Sequence, residues 1–213
     1  LFFPLLLCVL CPYVVDDAFA AARTQAKRGS RVEQARAEIE RLVGASGAEV
    51  GVAFRTLDGK EELFIQPDLA MHAASTMKVP VMIELFAQAR EKKLRLDDEL
   101  EVKNEFRSIV DGSPYQLDPA DDSDSMVYKA VGQKMTLRQL CGAMITVSSN
   151  LATNLLIEKL GVENIKRRVH WLKAGGMKVL RGVEDSKAYE KGLNNTTTAR
   201  ALLLLLEAIA KNK

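Results

Sequence analysis

Histidine and cysteine are scarce in this chain of 213 residues, with two of the first and three of the second. His72 and His170 lie far apart, and no Cys/His cluster has the spacing of metal ligands. Nor does either histidine suggest a Ser-His-Asp triad. His170, in "NIKRRVHWLKAGG", reads as a helix-surface residue; His72 is either that kind of bystander or a lining residue of a cleft. Cys8 and Cys11 fall in an apolar N-terminal run, and Cys141 sits alone in an apolar pattern. It reads as a buried thiol, so no disulfide is expected. An excess of one charge is also lacking. Lys and Arg number 30 against 28 Asp and Glu, interspersed, which leaves no basic patch for a nucleic acid. Aromatics are 6% of the chain, and no internal repeat is visible.

What is present fits a soluble domain. The chain is 47% hydrophobic with a mean hydropathy of −0.05, enough for one core or two lobes sharing a cleft. The opening "LFFPLLLCVLCPYVV", followed by "AFA" at 18–20, reads as a secretory leader with its cleavage site before Ala21. The run falls short of the ~20 apolar residues of a membrane span, the alternative reading. A lipid-attachment site at Cys8 or Cys11 fits less well, because leucine precedes each cysteine. The start carries no Met and no basic residues, so the sequence is expected to be truncated there. Residues 1–20 are thus a leader, 21–31 a linker, and 32–213 a single domain whose product is exported, secreted or periplasmic.

Within that domain, Ser30 and Glu33 have capping-box spacing before a helical pattern in "SRVEQARAEIERLV". "AEVGVAFRTLDGKEELFIQ" predicts two strands around Asp58-Gly59. A helix is expected from about Thr76 to Leu94, with Pro80 inside it expected to remove a backbone hydrogen bond and to kink it. Residues 104–130 are polar. "DPADDSD" within them lacks the glycine and terminal glutamate of a calcium loop and reads as a solvated loop. Thr136 and Gln139 form a second capping pair. "NLATNLLIEKLG" reads as an amphipathic helix ending at Gly161, and "NNTTTARALLLLLEAIAKN" as a capped helix whose leucines enter the core. One hairpin is a marginal sheet. No further clear strand pair precedes Lys213, so more strands are expected beyond it.

The chemistry lies in "HAASTMKVP", 72–80, where Ser75 and Lys78 are three apart at the start of a helix. Residues i and i+3 share a helix face about 5–6 Å apart. A serine hydroxyl needs an adjacent base to act as a nucleophile. The N–H groups and positive field of a helix start favour a neutral lysine and can hold an oxyanion. From this motif alone, a plain helix cap with a surface lysine is the favoured reading, because S-x-x-K by itself is common. "ITVSSNLATNLLIEKLG" adds Ser148 and Asn150 at a break between two helices, 73 residues after Ser75.

S-x-x-K followed by S-x-N resembles the penicillin-recognising serine hydrolases. The surrounding "AASTMKVPVMIELF", "MTLRQLCGAMITVSSNLATNLLIEKLG" and "NNTTTARALLLLLEAIA" are similar to class A β-lactamases and their close relatives over about residues 32–213. The resemblance implies an α/β (α+β) fold of β-lactamase/transpeptidase type, with an antiparallel sheet lobe and an all-α lobe and Ser75 between them. It implies Ser75 as acylated nucleophile, Lys78 as the lysine that takes or relays its proton, and Ser148 as proton donor toward the leaving nitrogen. Asn150 would hold the substrate's amide side chain. No metal or organic cofactor is implied; the partner is a small-molecule acyl donor, a β-lactam or peptidoglycan-like, and the protein a monomer.

Three departures bear on this. Ser149 stands where class A enzymes carry aspartate, as in penicillin-binding proteins with a variable middle residue. The R-x-E start of the Ω-loop becomes Arg181-Gly-Val-Glu184, one residue longer; Glu184 is expected to activate the deacylating water, with Asp185 and Glu190 as alternatives. Finally, no Lys-Thr-Gly sequence follows, which reads as truncation and predicts that these residues alone are inactive. Tyr115, after Ser113-Pro114, is expected to overhang the cleft and bind substrate. The alternatives are a D-Ala-D-Ala peptidase or esterase of the same fold and, in another class, a non-catalytic β-lactam- or cell-wall-binding module.

Overall fold

The computed structural model describes residues 31–213. The expected leader, Ser30 of the first capping pair and nearly all of the expected linker lie outside the described residues. Arg31, placed in the linker by the sequence reading, already belongs to helix α1, which is described over 31–46.

Strands β1 (Val52–Arg55) and β2 (Glu62–Ile65) form the expected antiparallel hairpin, with Val52 opposite Ile65. Gly59, at a φ of 72°, turns the chain between them. Arg36 of α1 donates to the Phe64 carbonyl at 2.9 Å and ties that helix to the hairpin.

After β3 (Met71–His72), the chain makes one 3-10 turn, Ala74–Met77, and enters α2 (Lys78–Arg90). This corrects the expectation for Pro80. It is the third residue of α2, inside the first turn, where backbone N–H groups have no intrahelical partner and a proline removes nothing.

The polar stretch after β4 (Glu99–Glu101) is also more than a solvated loop. It folds into a small hairpin, β5 (Phe106–Arg107) with β6 (Pro114–Tyr115), and a short helix, α3 (Met126–Lys129). The buried Asp124 carboxylate accepts from the N–H groups of Met126 and Val127 and starts α3. The acids of "DPADDSD" are there in part because carboxylates satisfy helix-end donors.

β7 (Lys134–Thr136) pairs with β4 and leads into α4 (Leu137–Thr146). The Thr136–Gln139 capping box forms as expected, with both reciprocal bonds made. Helix α5 (Asn150–Leu160) follows. It is not amphipathic: eight of its eleven residues are buried, because it packs against α2, α3, α4 and α6 (Val162–Trp171). Full burial of Leu151, Leu155, Leu156 and Leu160 contributes roughly 1.5–3 kcal/mol each. Thr153 and Asn154 are buried among them and are polar for reasons of bonding. Gly161, at a φ of 82°, turns α5 into α6.

Helix α7 (Ser186–Glu190) is one short turn; β8 (Thr196–Thr197) pairs with β3; and α8 (Ala199–Ala210) packs on β1. Thr198 caps α8 by accepting from Ala201 N–H at 3.1 Å. Of its five leucines only Leu205 is fully buried; Leu206 is exposed. The described residues thus combine helices with four antiparallel two-stranded sheets. Among them, no helix is long and apolar enough to cross a membrane.

Candidate active site

The 3-10 turn presents Ser75 at the surface, while Lys78 begins α2 and is 2% exposed. The bend between α4 and α5 brings Ser148 and Asn150 to them. Ser75 Oγ lies 2.8 Å from Ser148 Oγ, and Lys78 Nζ donates to Ser148 Oγ at 2.9 Å and to Asn150 Oδ1 at 2.9 Å. Lys78 Nζ also donates to the Ser148 carbonyl. Ser75 and Lys78 are therefore connected through the Ser148 hydroxyl.

Asn150 extends the chain of contacts. Its Nδ2 donates to Glu184 Oε1 at 2.9 Å, so one amide links the lysine to a carboxylate. The other Glu184 oxygen accepts from Asp118 N–H at 3.4 Å. The alternatives to Glu184 point elsewhere. Asp185 is buried and accepts from Ser108 Oγ, Ile109 N–H and Ala188 N–H, and Glu190 is exposed at the end of α7.

Burial pushes the Lys78 amine below its ordinary pKa, against the attraction of the Asp122 and Glu184 charges. Burial pushes the Glu184 carboxyl above its ordinary value; the bond from Asn150 opposes this, and the Asp122 and Asp121 charges add to it. Both groups are moved toward their neutral forms and toward the pH range where proton transfer is efficient.

The backbone is bent at these positions. Ala74 (φ 44°), Ser148 (φ 60°) and Glu184 (φ 61°) all occupy the left-handed region without being glycine. Ser148 and Glu184 are candidate site residues, and Ala74 adjoins Ser75.

Several residues that build the site carry little or no signal in the sequence. Asn154, one turn after Asn150 on α5, is 2% exposed; its Oδ1 accepts from Val183 N–H at 2.7 Å and its Nδ2 donates to the Val183 carbonyl at 3.0 Å. The two asparagines, i and i+4 on one helix face, hold the segment bearing Glu184. That spacing was visible in the sequence. The fit explains Gly182, where a Cβ would come within 2.6 Å of Asn154 Oδ1. Arg181, 6% exposed, donates to the carbonyls of Leu193 and Gly182 and to Asn194 Oδ1, closing the loop.

Tyr115 is half-buried against this loop. Its hydroxyl donates to the Val183 carbonyl at 3.4 Å and accepts from Asn154 Nδ2 at 3.4 Å, and its ring lies 5.9 Å from that of Phe106. His72 is exposed and its Nδ1 accepts from Ala74 N–H. Cys141 is buried, and burial raises its thiol pKa.

Ser149 has no carboxylate but still caps α5, accepting from Ala152 N–H at 3.3 Å. Asp122, from the polar stretch, supplies the carboxylate, accepting from Asn150 N–H at 2.8 Å and from Leu151 N–H at 3.0 Å.

The chain is similar to known proteins in sequence and in fold. A β-lactamase of Rhodobacter capsulatus is 33% identical over 132 residues, 62% of this chain and 37% of that protein. The solved structure of a β-lactamase from Chitinophaga pinensis superposes with a TM-score of 0.71 at 20% identity, over 83% of this chain and 63% of that one. PBP-A, solved as a mutant in an acyl-enzyme complex with penicillin G, gives a TM-score of 0.68 at 22% identity, over 86% and 63%. The chain thus spans about a third of the length of the Rhodobacter relative and under two thirds of the two solved ones. At such identities the solved structures speak to the fold, which is that of the β-lactamases and penicillin-binding proteins. Residues 34–213 match the model of the beta-lactamase enzyme family, and the chain belongs to that family.

Proposed function

We propose that the protein is a serine hydrolase that opens β-lactam rings through an ester on Ser75. One observation carries the reading: the unbroken series of contacts from Ser75 through Ser148, Lys78 and Asn150 to Glu184. Ser75 Oγ attacks the lactam carbonyl carbon while its proton passes by way of Ser148 Oγ to neutral Lys78. The ring C–N bond then breaks, and the proton returns through Ser148 to the leaving nitrogen. Glu184 takes a proton from a water that attacks the ester; the C–O bond to Ser75 breaks and Ser75 recovers its proton. Asn150 orients the substrate's amide side chain, and Tyr115, bonded to the Val183 carbonyl, shapes substrate choice. The likeness to PBP-A, solved as a penicillin acyl-enzyme, and to β-lactamases supports this reading.

The working form is an exported monomer. The 213 residues contain no Lys-Thr-Gly sequence, so this polypeptide alone is expected not to sustain turnover. Steady nitrocefin hydrolysis by residues 21–213 would contradict that. The decisive test uses the protein from its complete reading frame. Mass spectrometry should show a short-lived penicilloyl adduct on Ser75, absent from Ser75→Ala and long-lived in Glu184→Gln. Ser149, in place of aspartate, favours a second reading as a D-Ala-D-Ala peptidase, which an adduct that persists in the wild type would support. No adduct at all would leave only a binding module.

A further inference from the structure

We propose that Asp122 is a positioning residue: with Ser123 it grips the chain on both sides of Ser148 and fixes where Ser148 and Asn150 meet Lys78. This rests on the reading of Ser75 as the acylated group. The grip is two-sided. Ser123 Oγ donates to the Val147 carbonyl at 2.6 Å, at the end of α4, while Asp122 Oδ2 accepts from Asn150 N–H at 2.8 Å and Leu151 N–H at 3.0 Å, at the start of α5.

Between these anchors lies Ser148 with its left-handed backbone, a conformation that persists only where the surroundings over-determine it. The grip is itself anchored. Asp122 Oδ1 accepts from Asp124 N–H at 3.1 Å, and buried Asp124 holds the start of α3.

A lone serine cap at 149 satisfies one donor of α5; Asp122 satisfies two more and brings a charge. That charge acts on Lys78. The charged groups around the amine are Asp122, from the polar stretch, and Glu184, from the loop before α7, and both favour its protonated form. Asp122 therefore sets two properties of the site, the geometry of the bend and the pH at which Lys78 becomes a base. The adjacent Tyr128 hydroxyl is buried with no hydrogen bond of ordinary length, and its pKa is raised by burial and by the Asp122 charge.

The test compares Asp122→Asn, which keeps an acceptor and loses the charge, with Asp122→Ala, which loses both, and with Ser123→Ala, in the full-reading-frame protein. Three readouts are needed: amide exchange at Asn150 and Leu151, the titration of Lys78 followed by NMR on 13C-labelled lysine, and the pH dependence of Ser75 acylation by a fluorescent penicillin. Asp122→Ala should lose exchange protection at both amides and acylate about tenfold more slowly. Asp122→Asn should keep the protection but lower the Lys78 titration midpoint, moving the acid limb of acylation to lower pH. Ser123→Ala should slow acylation with the limb unmoved, since it removes no charge.

Wild-type exchange in Asp122→Ala, or an unmoved Lys78 titration in Asp122→Asn, would overturn the proposal. Should Asp122→Ala fail to fold, the titration in Asp122→Asn decides. If wild-type protein forms no Ser75 adduct, the acyl-enzyme reading falls, while exchange and titration still judge Asp122.

Discussion

On the proposed acyl-enzyme route, replacing Asn154 by alanine is expected to separate the two half-reactions. Its side chain makes both hydrogen bonds to the Val183 backbone and none to Ser75, Lys78 or Ser148. The substitution leaves the half-buried Val183 N–H without its partner and its C=O with only the Tyr115 hydroxyl at 3.4 Å, at roughly 1–3 kcal/mol for each group left unsatisfied. Two such groups suggest about 2–6 kcal/mol, or roughly 4–24 °C in Tm for a domain of this size. The lower end is expected. Arg181 on one side and Asp185 on the other hold the segment independently, so Val183 and Glu184 can detach locally without unfolding the rest. Detachment withdraws Glu184 from Asn150 and leaves the acylating groups in place. Stopped-flow acylation followed by mass-spectrometric decay should show near-wild-type ester formation and an ester whose lifetime lengthens by about tenfold or more, the equivalent of ~1.4 kcal/mol lost from the second barrier. An unchanged ester lifetime with slowed acylation would refute the assignment of Glu184 to deacylation and of Asn154 to its support.

Three other outcomes are expected. Arg168→Met strands the Glu84 carboxylate, 3% exposed and bonded to Arg168 at 2.9 Å; a loss of about 3 kcal/mol in urea unfolding is expected, largely recovered in the double variant with Glu84→Gln. Asn194→Asp gives buried Arg181 a charged partner in place of an amide oxygen at 3.1 Å and should stabilise by about 1 kcal/mol in the same measurement. For Glu184 the sign follows from its raised pKa. Ionising it costs folding stability, which is present below the unfolded carboxylate pKa and lost as pH rises through the folded one. Glu184→Gln should therefore raise Tm at pH 7 more than at pH 4, and wild-type deacylation should lose its base on acidification at a pH above the ordinary carboxylate range.

Local rules made part of the fold visible in the sequence: the Thr136 box and the Gly161 stop follow from capping chemistry. Ser75 and Lys78 stood out only once Ser148 and Asn150 completed the resemblance, because their spacing alone reads as a plain helix cap. Glu184 was one of three carboxylates in a loop; only the fold shows that its side chain reaches Asn150. What stayed hidden depends on residues distant in sequence. Asp122 sits 28 residues before Asn150 in a run of acids, where nothing local sets it apart from its neighbours. α5 was misread as amphipathic because Thr153 and Asn154 are polar, although both are buried and spend their polarity on backbone groups: Thr153 Oγ1 on the Ser149 carbonyl and Asn154 on Val183. Pro80 was misjudged by a few residues of helix boundary, which is all it takes to turn a breaker into a harmless first-turn residue.

The left-handed backbone at Ala74, Ser148 and Glu184 has a consequence for how such a protein changes over generations. Each of these positions would suit glycine better, and relief of about 1 kcal/mol apiece is available to any mutation that puts it there. Selection for heat resistance alone would drift toward those glycines, and at 148 and 184 it would erase a side chain of the proposed site. A thermally hardened descendant that keeps Ser148 and Glu184 must have found its extra stability elsewhere in the molecule.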